Sequence, residues 1–131
     1  MEQSSRQLED EKRELLANLN IRGWLCKRGL KGPTAHVWRR RYFRCDQGSK
    51  IYYYKSASEG TPQGFIDLDR VISVQEVSAA QQDKNHATFL VQCDGRTYQL
   101  QAHDEATMRK WMGAIEYLTD WRKRHTNGAI P

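Results

Sequence analysis

The strongest constraint on the fold is a change of pattern near residue 103, from short strand-like stretches to a single helical repeat. Between residues 21 and 102, stretches rich in aromatic and β-branched residues alternate with turn-forming Gly, Pro, Asp and Ser. These stretches are 21–29, 36–45, 49–57, 64–77, 87–93 and 96–102. The dipeptide Asp94-Gly95 between the last two is the clearest hairpin signal. This spacing predicts seven short antiparallel strands in a curved sheet or a small barrel.

The pattern after residue 103 predicts an amphipathic helix. Asp104 is a suitable N-cap, and Glu105 suits the positive end of the helix dipole. Apolar residues then recur at helical spacing: Met108, Trp111, Met112, Ile115 and Leu118. We expect this stripe to pack against the core of a domain that spans residues 21–122, and we expect residues 123–131 to form a frayed basic tail.

The first twenty residues predict a separate helical extension. Ser4 or Ser5 can cap a helix over residues 4–19, in which the leucines recur at helical spacing. Two interpretations remain open. The segment is either the end of a longer coiled coil, through which the chain self-associates, or a single helix that lies on the domain.

Positive charge is concentrated early in the domain. No acidic residue lies between Arg22 and Arg44, and this window carries +8 against +5 for the whole chain. Residues 1–20 carry −2, so residues 21–131 carry +7. A domain with this charge attracts nucleic acid, acidic lipid headgroups or acidic protein surfaces, and composition alone does not choose among them.

Other function classes find little support in the sequence. Cys26, Cys45 and Cys93 form no C-x-x-C pair, which indicates core thiols in a reducing cytosolic setting and argues against a zinc site or a disulfide framework. The histidines lack metal-ligand spacing and stand in no nucleophile arrangement: His36, His86, His103 and His125. We therefore expect neither catalysis nor a cofactor.

Side-chain alternation along the strands predicts an anion site at the mouth of the barrel. Leu25, Phe43 and Ile51 favour the interior, and successive side chains of a strand point to opposite faces. The same parity places four polar side chains on the inward face, nearer the mouth: Lys27, Arg39, Arg41 and Tyr53. Because buried unpaired cations are too costly for a core, a site for an anion is the better interpretation.

The order of these motifs resembles that of a pleckstrin homology (PH) domain over about residues 21–122. The resemblance rests on "GWLCKRG" in the first strand, "WRRRYF" after a Gly/Pro loop, and Trp111 in the closing helix. It implies a mainly β fold, a seven-stranded half-open antiparallel barrel capped by the C-terminal helix and here preceded by an N-terminal helix. The layout is similar to that of PH domains that follow coiled-coil regions in cytoskeletal or membrane-traffic adaptor proteins.

The resemblance also implies residues for a phosphoinositide headgroup. Lys27 matches the basic residue of the first strand, and Arg39 and Arg41 match the basic-x-Arg-aromatic-Phe run of the second. Tyr53 matches the third-strand tyrosine that reaches a headgroup phosphate, and the first loop adds Arg28 and Lys31, with Thr34 and His36 as further contacts. One departure is Gln63 before Gly64, where some 3-phosphoinositide binders carry Arg.

These observations predict a non-catalytic cytoplasmic module that lies peripherally at membranes and binds phosphoinositide headgroups. The alternative is a protein-docking domain with weak or no lipid specificity. Nucleic acid fits less well, because the predicted cations converge on a pocket whereas nucleic acid needs an extended basic track.

Overall fold

The computed structural model describes residues 2–29, 32, 35–46, 49–58, 60–78 and 87–129, with side chains given for residues 4–125 within these ranges. An N-terminal helix precedes seven strands, and a long helix closes the chain. The elements are α1 (Glu2–Leu19), β1 (Arg22–Arg28), β2 (Arg39–Asp46), β3 (Lys50–Tyr54), β4 (Gly64–Asp67), a 3-10 helix (Leu68–Arg70), β5 (Val71–Glu76), β6 (Thr88–Cys93), β7 (Arg96–Gln101) and α2 (Glu105–Ala129).

The seven strands form one continuous antiparallel sheet in the order β4-β3-β2-β1-β7-β6-β5. Strand β1 joins its two halves, since it pairs with both β2 and β7. In the described part of the chain β4 and β5 do not pair with each other, so the barrel is not closed. The predicted mainly β fold with seven antiparallel strands and a helix at each end is confirmed.

A 3-10 turn divides the predicted stretch 64–77 into two strands. The side chain of Asp67 accepts a hydrogen bond from the backbone N–H of Asp69 at 3.0 Å, which caps the turn. The carboxylate of Asp69 then accepts two hydrogen bonds from the guanidinium of Arg122 in α2, at 2.6 and 2.9 Å. These bonds hold the pKa of Asp69 below its ordinary value and fasten the turn to the helix.

The core lies between the inner face of the sheet and α2. Trp111 is 2% exposed and meets the ring of Phe43 edge-on, with the ring centroids 6.2 Å apart. The start of α2 is fixed as the sequence predicts, because the backbone N–H of Thr107 donates to the Asp104 carboxylate at 2.7 Å. The predicted apolar stripe is buried except for Met112, which is partly buried and packs against the core.

The closing helix is longer than the sequence suggested. Residues 123–129 continue α2 to Ala129, so the expectation that the basic tail frays directly after residue 122 is wrong. Arg124 forms an ion pair with Asp120 one turn earlier at 3.1 Å, and His125 stacks on Trp121 with the ring centroids 4.1 Å apart. Contacts of this kind between residues four apart stabilise the last turns of the helix.

The N-terminal helix touches the domain only near its end. Leu15 and Leu19 are partly buried against the core, as is Tyr117 of α2, whereas Leu8 is 58% exposed. The side chains of residues 4–14 are exposed, and a coiled-coil context for this part of α1 remains a prediction. Neither helix in the described part of the chain has the length and apolar character needed to span a bilayer.

Candidate anion-binding site

Lys27 lies at the centre of a cluster of positive charge at the mouth of the barrel. It stands near the end of β1, opposite Arg39 of β2 in the strand register. Its Nζ atom is 4.8 Å from the ring centroid of Tyr53. The pKa of Lys27 is lowered from its ordinary value by burial, and then by the charges of Arg96, Arg41 and Arg39.

These four cations lack the acidic partners that basic side chains usually find in proteins. No carboxylate among the described residues forms an ion pair with Lys27, Arg39, Arg41 or Arg96, although seven other ion pairs are present there. Nη1 of Arg41 donates a hydrogen bond to the backbone carbonyl oxygen of Arg40 at 2.8 Å. The cluster is therefore a region of uncompensated positive charge that favours an anion.

Arg96 is a member of this cluster that the sequence reasoning missed. It is the first residue of β7, directly after the Asp94-Gly95 turn, and its guanidinium lies 4.4 Å from the ring centroid of Tyr98. Strands β1 and β7 are far apart in sequence but adjacent in the sheet, which brings Arg96 to Lys27. The sequence did carry a signal for Arg96. Side chains alternate along β7, so Arg96 lies on the same inner face as the buried Tyr98 and Leu100.

Tyr53 forms one wall of the site and is itself held by close packing. It is 5% exposed, its ring centroid lies 5.3 Å from that of Phe43, and its backbone pairs with Gly64 of β4. A Cβ atom added to Gly64 would lie 2.6 Å from Cζ of Tyr53. A glycine at position 64 is thus what allows the ring to lie beneath the ammonium group of Lys27.

We expect Gly64→Ala to displace Tyr53 and to lower the free energy of unfolding by about 1–3 kcal/mol, as overpacking typically does. Gly113→Ala is the matched control, because a Cβ there meets nothing within 4 Å and the residue lies on the exposed side of α2. It should raise stability by about 0.5–1 kcal/mol. Thermal unfolding and the aromatic NMR signals of Tyr53 measure both effects. A Gly64→Ala chain with wild-type melting and an unmoved Tyr53 would contradict this packing.

Arg28 is placed differently from the other predicted site residues. Its Nε atom donates to Oε1 of Gln99 at 3.1 Å, and its guanidinium lies 4.6 Å from the ring centroid of Trp38. Arg28 therefore lies at the rim of the site, where its guanidinium group already contacts Gln99 and Trp38. The predicted contacts Lys31 and Thr34 lie outside the described residues, and His36 is exposed.

A cavity of about 570 Å³ opens beside the cluster. The end of β1 (27–29) and the β6–β7 hairpin (92–93 and 95–99) line it. A second cavity of about 440 Å³ shares Cys93, Arg96 and Tyr98 with the first and extends to Tyr53 and Gly64. Asp67 and Asp94 also line the second cavity, so the room for a small polyanion lies mainly in the first, beside Lys27 and Arg96.

The remaining arginine of the "RRR" run lies on the other face of the sheet. The guanidinium of Arg40 lies 4.2 Å from the ring centroid of Trp24, which in turn meets Tyr42 edge-on at 5.5 Å. Alternation along β2 thus separates Arg40 from Arg39 and Arg41, as the sequence predicts. The described residues contain no group of three or more His, Cys, Asp or Glu side chains placed to hold a metal ion.

Comparison with known proteins assigns the chain to a family. The sequence model of the PH domain matches residues 19–120, and the chain therefore belongs to the PH domain family. A PH domain-containing protein of Dictyostelium discoideum is 32% identical over 105 residues, which cover 80% of this chain and 22% of that protein. A sterol 3-beta-glucosyltransferase of Aspergillus oryzae is 33% identical over 95 residues, which cover 72% of this chain and 7% of the enzyme.

This chain thus spans less than a quarter of the length of these two relatives. The glucosyltransferase match lies within the PH region of a much longer protein, and the PH domain family is generally non-catalytic. Among solved structures, the PH domain of human TBC1 domain family member 2 has a TM-score of 0.65 at 24% identity, over 80% of this chain and 83% of that one. The Slm1 PH domain in complex with phosphoserine has a TM-score of 0.63 at 18% identity, over 76% and 94%.

Proposed function

We propose that this domain binds the headgroups of phosphoinositides at the mouth of its barrel and recruits its parent protein to cytoplasmic membrane surfaces. One observation carries the proposal: Lys27 and Arg96 line an open cavity, Arg39 and Arg41 lie close to Lys27, and none of the four forms an ion pair with a described carboxylate. Like charges held together destabilise a folded chain, and a polyanion in the cavity removes that repulsion.

Binding on this account proceeds in two stages. The +7 charge of residues 21–131 first attracts the domain to the anionic cytoplasmic leaflet. The ammonium group of Lys27 and the guanidinium of Arg41 then donate charge-assisted hydrogen bonds to the headgroup phosphates, and Arg can hold two oxygens at once. A phosphate beside Lys27 favours its charged form, which reverses the lowering of its pKa and adds to the affinity.

Arg96 and Arg28 extend the predicted set of contacts. Arg96 stands between the two cavities and faces Lys27 across the first, so a phosphate held between them contacts strands from both halves of the sheet. Arg28 contributes from the rim while its guanidinium remains against Trp38. Tyr53 positions Lys27 through its ring and offers its hydroxyl at the edge of the second cavity.

A solved structure with the same fold supports a ligand that carries a phosphate group. Slm1, whose PH domain shares this fold, has been crystallised with phosphoserine, a ligand that carries a phosphate monoester. A protein-docking role is the second candidate. It is favoured by the edge strand β5, which ends the sheet order away from β1 and β2.

Vesicle binding at different ionic strengths tests the proposal. We expect binding to vesicles with plain anionic lipid to weaken steeply as salt is raised, because several exposed charges contribute. Vesicles that also contain a phosphoinositide should retain the domain at salt concentrations that release it from the plain vesicles, since the bonds in the pocket are less screened. Equal release from both kinds of vesicle would contradict a headgroup pocket and would leave only diffuse attraction.

A further inference from the structure

The far edge of the sheet offers a second binding surface, on β5. Strand β5 ends the sheet order and among the described residues pairs only with β6. The backbone N–H of Val77 donates to the carbonyl oxygen of Thr88 on β6 at 3.1 Å. Because hydrogen-bonding direction alternates along an antiparallel strand, the backbone N–H and C=O groups of Val74 and Glu76 point away from β6. They form the open edge of the strand.

A groove lies between this edge and α2. It encloses about 160 Å³ and is lined by Val71–Val74 from the strand and by Glu116, Thr119, Asp120 and Lys123 from the helix. Its apolar wall includes Ile72, which is 61% exposed, and Val74, which is partly buried. An extended chain laid along β5 covers both side chains and reaches the helix.

Thr119 holds an unsatisfied polar group at this groove. The residue is 7% exposed, and its Oγ1 atom is buried without a hydrogen-bond partner among the described residues. An unpaired buried hydroxyl destabilises the fold, and few such groups are found in native proteins. Because Thr119 also lines the groove, a backbone group of a bound ligand is a candidate partner for this hydroxyl.

The charge of the groove differs from that of the rest of the domain. Two carboxylates, Glu116 and Asp120, stand on its helical wall beside Lys123. Asp120 pairs with Arg124 at 3.1 Å, whereas Glu116 forms no ion pair with a described residue. Glu116 is therefore a carboxylate at the groove that no described cation pairs with, which favours a basic ligand side chain at this point.

We propose that this groove binds an extended, basic segment of a partner protein, which adds to the free edge of β5 as a further strand. The edge supplies backbone hydrogen bonds, Ile72 and Val74 supply apolar contact, and Glu116 selects a Lys or Arg. The surface is separate from the barrel mouth, so this proposal stands or falls independently of headgroup binding.

The test selects peptides from a phage library of random ten-residue sequences on the whole chain, and then uses one enriched synthetic peptide as the probe. We expect enriched sequences to alternate β-branched residues with Lys or Arg. In an amide NMR titration the signals of Ile72–Glu76 and Thr119 should shift, while those of Lys27 and Arg96 stay in place. A library that yields no enriched peptide, or shifts confined to another surface, would overturn the proposal.

Two variants of Glu76 distinguish a peptide that pairs its backbone with β5 from a peptide that binds through side-chain contacts alone. Glu76→Pro removes the outward N–H of Glu76 and leaves the bonds of its neighbours to β6, whereas Glu76→Ala removes the same carboxylate and keeps the N–H. We expect the proline variant to bind the peptide ~tenfold more weakly than the alanine variant, the loss that one hydrogen bond explains. Equal affinities for the two variants would rule out strand addition.

Thr119→Val tests the buried hydroxyl at nearly constant shape. The free chain should melt at a higher temperature, because an unpaired polar group is removed, while peptide affinity falls. A lower melting temperature with unchanged peptide affinity would mean that the hydroxyl is already satisfied within the chain. Protection of the Val74 and Glu76 amides without peptide would overturn the proposal, since a second copy of the chain or residues 79–86 would then occupy the edge.

Discussion

Replacing Lys27 and Arg41 together with glutamine is expected to abolish binding of a soluble inositol phosphate headgroup. Each charge-assisted hydrogen bond that is lost costs roughly 1.5–3 kcal/mol, and the two side chains provide at least one bond each. The fold should tolerate the change, because both side chains are only half-buried and neither forms an ion pair with a described carboxylate. Melting at or above the wild-type temperature, together with lost binding, is therefore the signature of a site.

The matched control removes the same charge from the opposite face of the sheet. Arg22 and Arg40 are both exposed, and Arg40 is directed onto Trp24 away from the mouth. Arg44 is unsuitable, since its Nε atom is buried and its replacement would disturb the fold. Arg22→Gln with Arg40→Gln should weaken vesicle binding only through the diffuse attraction and leave headgroup affinity unchanged. If both double variants lost the same amount of headgroup affinity, the domain would bind through a general basic surface and not through a pocket.

Removing the side chain of Trp111 from α2, the helix that caps the barrel, is expected to cause a large loss of stability. Trp111→Ala is expected to lower the free energy of unfolding by about 3–5 kcal/mol, the usual loss for a buried aromatic residue. The indole is 2% exposed, meets Phe43, and lies 3.9 Å from the position of a Cβ on Gly23. Its removal leaves a cavity between α2 and the sheet that neither element can fill without moving.

Denaturant unfolding measures this loss, and the neighbouring Lys110 provides the control. Lys110→Ala alters an exposed position of the same helix turn and should change stability by no more than about 0.5 kcal/mol. If Trp111→Ala unfolded at nearly the wild-type denaturant concentration, α2 would not be part of the core. The apolar stripe of the helix would then need another explanation.

Most of the fold was predictable because its signals are local. The Asp94-Gly95 turn, the Asp104 cap and the stripe through Trp111 each follow from interactions within a few residues. Seven strands were expected, but the position of the turn that separates β4 from β5 within residues 64–77 was not predicted, because it depends on Asp67 as a cap and on Arg122 far away in sequence. The extension of α2 past residue 122 was not predicted, because a run of charged residues is compatible both with an exposed helix and with a frayed end.

The grouping of the candidate site residues was predictable where strand parity alone decides a side chain's direction, and their role in binding an anion stays a prediction. Lys27, Arg39, Arg41 and Tyr53 share the inner face of neighbouring strands, so alternation was sufficient to group them. Arg96 required knowledge that β7 pairs with β1, a contact between distant parts of the sequence. The engagement of Arg28 by Gln99 and Trp38 depends on the same long-range pairing and on the rotamers of three side chains.

A titration of the isotope-labelled domain with soluble inositol 1,4,5-trisphosphate tests whether the headgroup binds at Lys27 and Arg96. We expect amide shifts concentrated in residues 25–28 of β1, 39–42 of β2 and 95–98 around the start of β7, with Lys27 and Arg96 among the largest. Shifts centred on the outer face around Trp24 and Arg40, or along the β5–α2 groove, would contradict it. So would the absence of any shift at millimolar concentrations of the headgroup.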